Sequence, residues 1–251
     1  MHRNITRGLI MQNCNTINRD FYDVLWSESR LTRPDRFNTW PLISELLPLA
    51  LGRLEIGPGL HPRLPISGTC FVDISPPVIE RLTSLGGIAL PAEITDLPFS
   101  DGKFELVCAF DVIEHTEDDR RVFCEVSRVL KEGGLFIFSV PVHARLWTKF
   151  DAFVGHVRRY EPADLPALLA DHGLEIERSA AYGMQPANPK LLDFGLWCLK
   201  HSRREAMWLY NKVLMPLGML FQKRLRFVDG LVDATGVDEI VLVCRKRTGC
   251  R

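Results

Sequence analysis

A chain of 251 residues can bury one sizeable core, and a single α/β domain is the simplest partition of that length. Its 31 basic and 31 acidic residues cancel, so no global field selects nucleic acid as a partner, while 46% hydrophobic and 25% charged content excludes a disordered or fibrous chain. Seven scattered cysteines (14, 70, 108, 124, 198, 244 and 250) form no close zinc-binding or redox pair. No apolar leader opens the sequence and no run of eighteen apolar residues occurs, so a reducing, cytoplasmic setting is expected.

Residues 1–50 are mixed and aromatic, with Phe21, Tyr22, Trp26, Phe37 and Trp40, and a helical pattern runs from Trp40 to Leu51; they read as a helical cap. Short apolar runs then alternate with helical patterns: Arg53–Ile56, Cys70–Ile74, Ile88–Ile94, Phe104–Phe110 and Leu135–Val140. That alternation predicts strand–helix–strand units and a parallel sheet covered on both faces. Between the fourth and fifth runs, Val122, Phe123, Val126, Val129 and Leu130 form one apolar stripe. Thr116 is the expected cap of this helix and Gly133-Gly134 its expected stop. A helix near Pro162–His172 and two further strands, Leu174–Tyr182 and Glu239–Arg245, complete the pattern.

More than fifty residues separate those last two strands, too many for a turn, so 183–236 reads as an insertion. Tyr210, Val213, Leu214, Leu217, Leu220 and Phe221 recur there at helical spacing, with Pro216 as the expected kink. Eight Lys/Arg stand against two acids between Lys190 and Arg226, a basic island in a neutral chain. An amphipathic helix on the sheet, a substrate lid and a membrane-surface contact through 190–226 all fit that pattern. The resulting plan is one domain over 1–251: cap 1–50, core 51–182, insertion 183–236, last strand and tail 237–251.

The first strand runs into Leu54-Glu55-Ile56-Gly57-Pro58-Gly59, glycines where the chain must turn close to a ligand. A dinucleotide fingerprint needs a third glycine three residues on, and Pro62 stands there instead. Asp73 ends the second strand, where a carboxylate can accept from both hydroxyls of a ribose. Asp96-Leu97-Pro98-Phe99 offers a side-chain acceptor for an exocyclic amine and a backbone N–H for a ring nitrogen.

Taken in order, Glu55 to Gly59, Val72-Asp73-Ile74-Ser75, Asp96-Leu97-Pro98-Phe99, Phe104-Glu105-Leu106-Val107 and Asp111-Val112-Ile113-Glu114-His115 resemble the successive motifs of class I S-adenosylmethionine-dependent methyltransferases. The resemblance spans about residues 50 to 182. It implies a doubly wound, mostly parallel, seven-stranded Rossmann-like sheet and S-adenosylmethionine as cofactor. It also implies site positions: Glu55, Gly57 and Gly59 at the amino-acid moiety, Asp73 and Ile74 at the ribose, Asp96 and Leu97 at the adenine, Phe110 and Asp111 beneath the sulfonium. The implied activity is methyl transfer to a small or medium organic acceptor, with a hydroxyl as one acceptor group. His61, Pro62 and Pro65 shorten the helix that the family usually carries behind its glycine loop.

Asp111, Glu114 and His115 follow the fourth strand, and His156 lies in Gly155-His156-Val157-Arg158-Arg159-Tyr160. The four are similar to the acids and histidines that hold magnesium or a related ion in small-RNA 2′-O-methyltransferases and ubiquinone-pathway O-methyltransferases. His115 or His156 could instead serve as a base without metal, or Glu114-His115 merely hydrogen-bond loop backbone. Arg158, Arg159 and Tyr160 are expected beside the acceptor, which would suit an anionic or phenolic group; His143 is a further pocket-wall candidate. A non-catalytic methyltransferase-like interaction domain and a membrane-peripheral lipid or isoprenoid methyltransferase are the rival assignments.

Overall fold

The structure, a computed structural model, describes residues 29, 31–183, 197–198 and 201–249. The aromatic residues 21, 22 and 26 of the expected cap, and 184–196 of the insertion, lie outside the described residues.

Five strands form the parallel half of one sheet: β1 (Arg53–Ile56), β2 (Thr69–Asp73), β3 (Ile88–Pro91), β4 (Phe104–Phe110) and β5 (Leu130–Pro141). β6 (Leu174–Tyr182), β7 (Val228–Asp229) and β8 (Glu239–Lys246) complete it in the order β3-β2-β1-β4-β5-β8-β6-β7. The sheet is therefore mixed and eight-stranded rather than seven-stranded: β1 to β6 run in one direction, and β7 and β8 run against them. β8 returns from the insertion antiparallel to both β5 and β6, and the two-residue β7 pairs antiparallel on the edge of β6.

Helices cover both faces, as the alternating pattern requires. On one, α3 (Asp119–Val129) and α5 (Leu165–Ala170) pack Val122, Phe123, Val126, Leu165 and Leu169 against Leu54, Val107, Phe136, Phe138 and Leu242. On the other, α1 (Trp40–Leu46) sets Leu42, Ile43 and Leu46 against Leu106, Ile137, Val241 and Val243, while α2 (Pro76–Ser84) sets Val78 and Leu82 on Phe71. α4 (Lys149–Val154), α6 (Arg203–Leu209) and α7 (Met215–Leu220) lie in the connections.

Several boundaries shift for local reasons. α1 stops at Leu46 and passes into a 3-10 turn, Leu47–Leu49, because Pro48 cannot continue the helix. β3 ends at Pro91, which has no N–H for the ladder, so Ala92 to Ile94 belong to the following loop. Asp118, not Thr116, caps α3: residues 113–115 first form a 3-10 turn, and the Asp118 carboxylate then accepts the Arg121 N–H at 3.0 Å. That helix ends at Val129 without the glycines. Gly133 and Gly134 lie inside β5, where a Cβ on Gly134 would meet Lys131 O at 2.9 Å and Glu105 O at 3.2 Å. In the insertion, a π-helical turn (Tyr210–Leu214) precedes α7, whose first turn contains Pro216.

Candidate active site

The carboxyl ends of β1, β2 and β4 come together at one rim of the sheet, the usual place for a ligand in a parallel α/β fold. At the first, Gly57 turns with φ +61° and donates its N–H to Val72 O at 2.7 Å. A Cβ there would sit 2.7 Å from Val112 Cγ2, so only glycine lets the turn pass beneath the β4 loop. The Gly59 N–H reaches Asp73 Oδ2 at 3.1 Å, and the Ser75 N–H reaches Oδ1 at 2.9 Å. The glycine bend and the β2 carboxylate are thus one unit, with Asp73 only 8% exposed and Ile74 open beside it. A carboxylate oxygen that accepts an amide can also accept a ribose hydroxyl.

The third tip departs from expectation. Leu97 is buried, and its N–H is taken by Glu125 Oε2 at 3.0 Å. Arg128 clamps the same stretch, pairing with Glu125 at 2.7 Å and donating to the carbonyls of Leu97 and Phe99. The Asp96-Leu97-Pro98-Phe99 motif is therefore held by α3, with Asp96 exposed and no Leu97 amide to offer a nucleobase. Closer to the end of β3, Glu93 is exposed, and among the described residues the Ile94 N–H has no hydrogen-bond partner. This acceptor–donor pair was hidden because the apolar run through Ile94 reads as continuous strand.

Glu55 is turned inward. It is 2% exposed, and its carboxylate accepts the N–H groups of Arg63 at 2.7 Å and Leu64 at 2.8 Å. Burial pushes its pKa up to about 7, against the lowering effect of those two amides and of Arg63. It thereby closes the loop that replaces the family's helix. The Arg63 guanidinium stacks 3.6 Å over Phe37 and donates to His61 O and Tyr182 Oη. Its Nε is buried without a partner, and no described carboxylate pairs with this 8%-exposed cation. Burial lowers the pKa of His61 to about 3, with Arg63 adding to the effect, so that ring is neutral.

Past β4, Asp111 adopts φ +55°, a left-handed conformation that side chains seldom take and that is stored at functional sites. Its N–H donates to Ser139 Oγ at 3.0 Å and its carboxylate accepts the Ser139 hydroxyl. Glu239, at the start of β8, hydrogen-bonds the same carboxylate; burial, then Asp111, pushes Glu239 well above the usual carboxylate range. Phe110 lies just below, 6.1 Å from the Tyr182 ring.

Glu114, His115 and His156 converge, their nearest ligand atoms all within 4.8 Å of one another. Asp111 stands outside that group, engaged with Ser139 and Glu239. The two rings meet edge to face at 4.7 Å, and His156 Nε2 is 3.7 Å from Glu114 Oε1. Each Nδ1 is occupied: that of His115 faces Gly155 O at 3.3 Å, that of His156 faces Asp151 Oδ1 at 2.9 Å. A carbonyl and a carboxylate at the two Nδ1 atoms are the kind of outer partner that orients metal-binding histidines. Burial, reinforced by His156, holds the His115 pKa down to about 3. Burial, then the Asp111 charge, pushes Glu114 well above its usual range. Its Oε2 is buried without a partner.

The neighbouring cations are braces. Arg159 is buried and pairs through two nitrogens with Asp151, whose α4 capping box with Thr148 fixes its position. Burial raises the Asp151 pKa, and hydrogen bonds from His156, Arg159 and Thr148 outweigh that to hold it well below the usual range. Arg158 pairs with Asp119 at 2.6 Å and donates to the carbonyls of Thr116 and Glu117; the Tyr160 hydroxyl also donates to Asp119. All three side chains expected beside the acceptor are therefore engaged with the protein. His143 (φ +62°) is tied to Ala234 O at 2.9 Å. Sequence reading missed Arg63, Glu93, Asp151 and Glu239; for Asp151 a faint signal existed in the Thr148-x-x-Asp151 capping pattern.

Residues 57–138 match the methyltransferase domain family. Over 53 residues the chain is 47% identical to a sarcosine/dimethylglycine N-methyltransferase of Halorhodospira halochloris, covering 21% of this chain and 19% of that one. Over 86 residues it is 34% identical to a probable S-adenosylmethionine-dependent methyltransferase of Mycolicibacterium smegmatis, covering 34% of each. The matched segments thus span 19% and 34% of these relatives' own length. Among solved structures, a SAM-dependent methyltransferase of Thermotoga maritima superposes with a TM-score of 0.58 at 17% identity, over 85% of this chain and 89% of that one. The cyclase SpnF also shares the fold, with a TM-score of 0.53 at 16% identity over 83% and 80% of the two chains. Residues 57–138 thus carry a methyltransferase domain, and the chain shares the Rossmann-like methyltransferase fold.

Proposed function

We propose that the chain transfers a methyl group from S-adenosylmethionine to a small or medium organic acceptor, with a hydroxyl as the attacking group. The observation that carries this reading is the bond from the Gly59 amide to Asp73, which joins a ligand-approach turn to a carboxylate suited to ribose hydroxyls at the end of the neighbouring strand. Asp73 takes the ribose hydroxyls; Glu93 and the Ile94 amide take the exocyclic amine and a ring nitrogen of the adenine. The Gly57 and Gly59 backbone and the unpaired Arg63 cation suit the amino-acid moiety, and Phe110 with Asp111 form the floor beneath the sulfur. When bound, the cofactor supplies a methyl group on a positively charged sulfur. The protein's part is to align the acceptor in line with the carbon–sulfur bond and to exclude water.

Glu114, His115 and His156 suit a divalent cation such as magnesium: one carboxylate and two imidazoles whose ligand atoms lie within 4.8 Å of one another, with the buried Glu114 Oε2 atom unpartnered among the described residues. A cation there would add Lewis acidity beside the acceptor. Without one, His156, oriented by Asp151, is the better-placed base for a hydroxyl proton, since a ring of such low basicity as His115 accepts protons poorly.

A second reading is N-methylation, favoured by the carboxyl groups of Asp111, Glu114 and Glu239, which can accept hydrogen bonds from an amine N–H, and by the likeness to the N-methyltransferase of Halorhodospira halochloris. Because SpnF carries this fold as a cyclase, binding alone does not settle transfer. The test is calorimetric titration with S-adenosylmethionine, followed by transfer of labelled methyl to hydroxyl- and amine-bearing acceptors with and without chelator. Saturable binding and chelator-sensitive O-methylation are expected. Absence of binding at millimolar cofactor would leave a non-catalytic interaction domain.

A further inference from the structure

The helical element of the insertion turns its apolar residues outward. Of the large hydrophobic side chains between Trp208 and Phe221, Trp208, Leu209, Tyr210, Leu214, Leu217, Leu220 and Phe221 are all exposed, Leu220 by 69% and Phe221 by 81%; Met215 is buried. Tyr210, Leu214, Leu217 and Phe221 are spaced three and four apart, so they form one ridge rather than scattered contacts. Exposed apolar surface that is contiguous marks an interaction site.

Along this segment the charge has one sign. From Ala206 to Val228 there is no Asp or Glu, while Lys212, Lys223, Arg224 and Arg226 are present and all four are exposed. The ridge is also mounted firmly. Leu225 and Phe227 pack into the core beneath it, and the Gln222 side chain donates to Arg36 O and accepts the Asn38 N–H.

We infer that this face docks on an anionic lipid surface, with the ridge entering the headgroup boundary and the four cations reading the lipid charge. No helix of the described residues is long and apolar enough to cross a membrane, so the contact is one of lying on the surface. Apolar ridge and cationic rim together match an anionic bilayer interface; a second copy of this chain would bring the same cations against each other. Docking stands independently of the transfer reaction.

The experiment is flotation of the full chain with vesicles of phosphatidylcholine alone and of phosphatidylcholine mixed with phosphatidylglycerol, read also by tryptophan emission. Flotation with the mixed vesicles only, weakened by salt and accompanied by a blue shift, is expected. Trp208→Ser with Phe221→Ser should abolish it at unchanged helix content by circular dichroism. Each of Lys212→Gln, Lys223→Gln, Arg224→Gln and Arg226→Gln should weaken partitioning about fivefold. The proposal is overturned if the chain stays in the soluble fraction at low salt, or if the double serine variant floats as well as the parent. It is equally overturned if sedimentation shows a dimer that the serine substitutions dissolve.

Discussion

The donor side of the rim and the acceptor side are built differently. From Gly57 to Ile94 the groups proposed to bind the nucleoside are mostly backbone amides and single carboxylates at strand ends, each placed by its own strand and turn. From Asp111 to Glu239 the groups are side chains from four separate segments, oriented by one another and by one carbonyl: Asp151 holds His156, the Gly155 carbonyl holds His115, Ser139 and Glu239 hold Asp111. A backbone-built site depends on local φ and ψ and tolerates change elsewhere. A side-chain-built site fails when any supporting member is removed.

That contrast is sharpest at Asp151, which touches no expected ligand and should nevertheless be the costliest acceptor-side residue to change. Asp151→Ala leaves the buried Arg159 cation unpaired and should destabilise the fold by about 3–5 kcal/mol in urea unfolding. A loss under about 1 kcal/mol would show the acceptor corner to be loosely held. On the donor side, Asp73→Ala should cost about 3 kcal/mol of binding, roughly 100-fold in the Kd for S-adenosylmethionine by calorimetry, with a much smaller effect on stability. Equal losses of fold and affinity would erase the distinction between the two sides.

Glu55 tests whether the donor side also contains a buried supporting group. Its folded pKa, about 7, lies above its unfolded value, 4.5, so the carboxyl favours the fold most when protonated. Its contribution is full below pH 4.5 and is lost as pH rises through about 7. The stability of Glu55→Gln relative to the parent should therefore increase by about 3 kcal/mol between pH 4.5 and pH 8, measured by denaturant titration at each pH. A difference independent of pH would mean that the amides of Arg63 and Leu64 keep the carboxylate ionised at all these values.

The same contrast explains what could be read from the sequence. Strand periodicity and the Gly57-x-Gly59 turn are local signals, so the strand sequence, the glycine bend and Asp73 were legible, as was the pairing of Glu114 with His115 and His156. Arg63 reaches its place through a contact with Tyr182, 119 residues away, and Glu239 meets Asp111 only because β8 returns antiparallel beside β5. No spacing within one segment encodes such meetings. The opposite error also occurred: Arg158, Arg159 and Tyr160 look like ligand-facing groups in a row, yet their partners Asp119 and Asp151 lie on helices whose boundaries the sequence marks only loosely.

The third loop tip separates motif from geometry with the smallest expected effect. Asp96 and Leu97 carry the motif, but Glu125 has already taken the Leu97 amide, while Glu93 stands beside an Ile94 amide with no described partner. If the adenine amine bonds a carboxylate here, Glu93→Gln keeps an oxygen acceptor but weakens a charge-assisted bond, raising the Kd for S-adenosylmethionine about tenfold. Asp96→Asn should change it by less than about twofold, since an exposed side chain outside the rim contributes little. Reversal of the two effects in the same titration would restore the motif assignment. It would also require the Leu97 amide to leave Glu125 on binding, which would appear as cofactor-dependent exchange of that N–H.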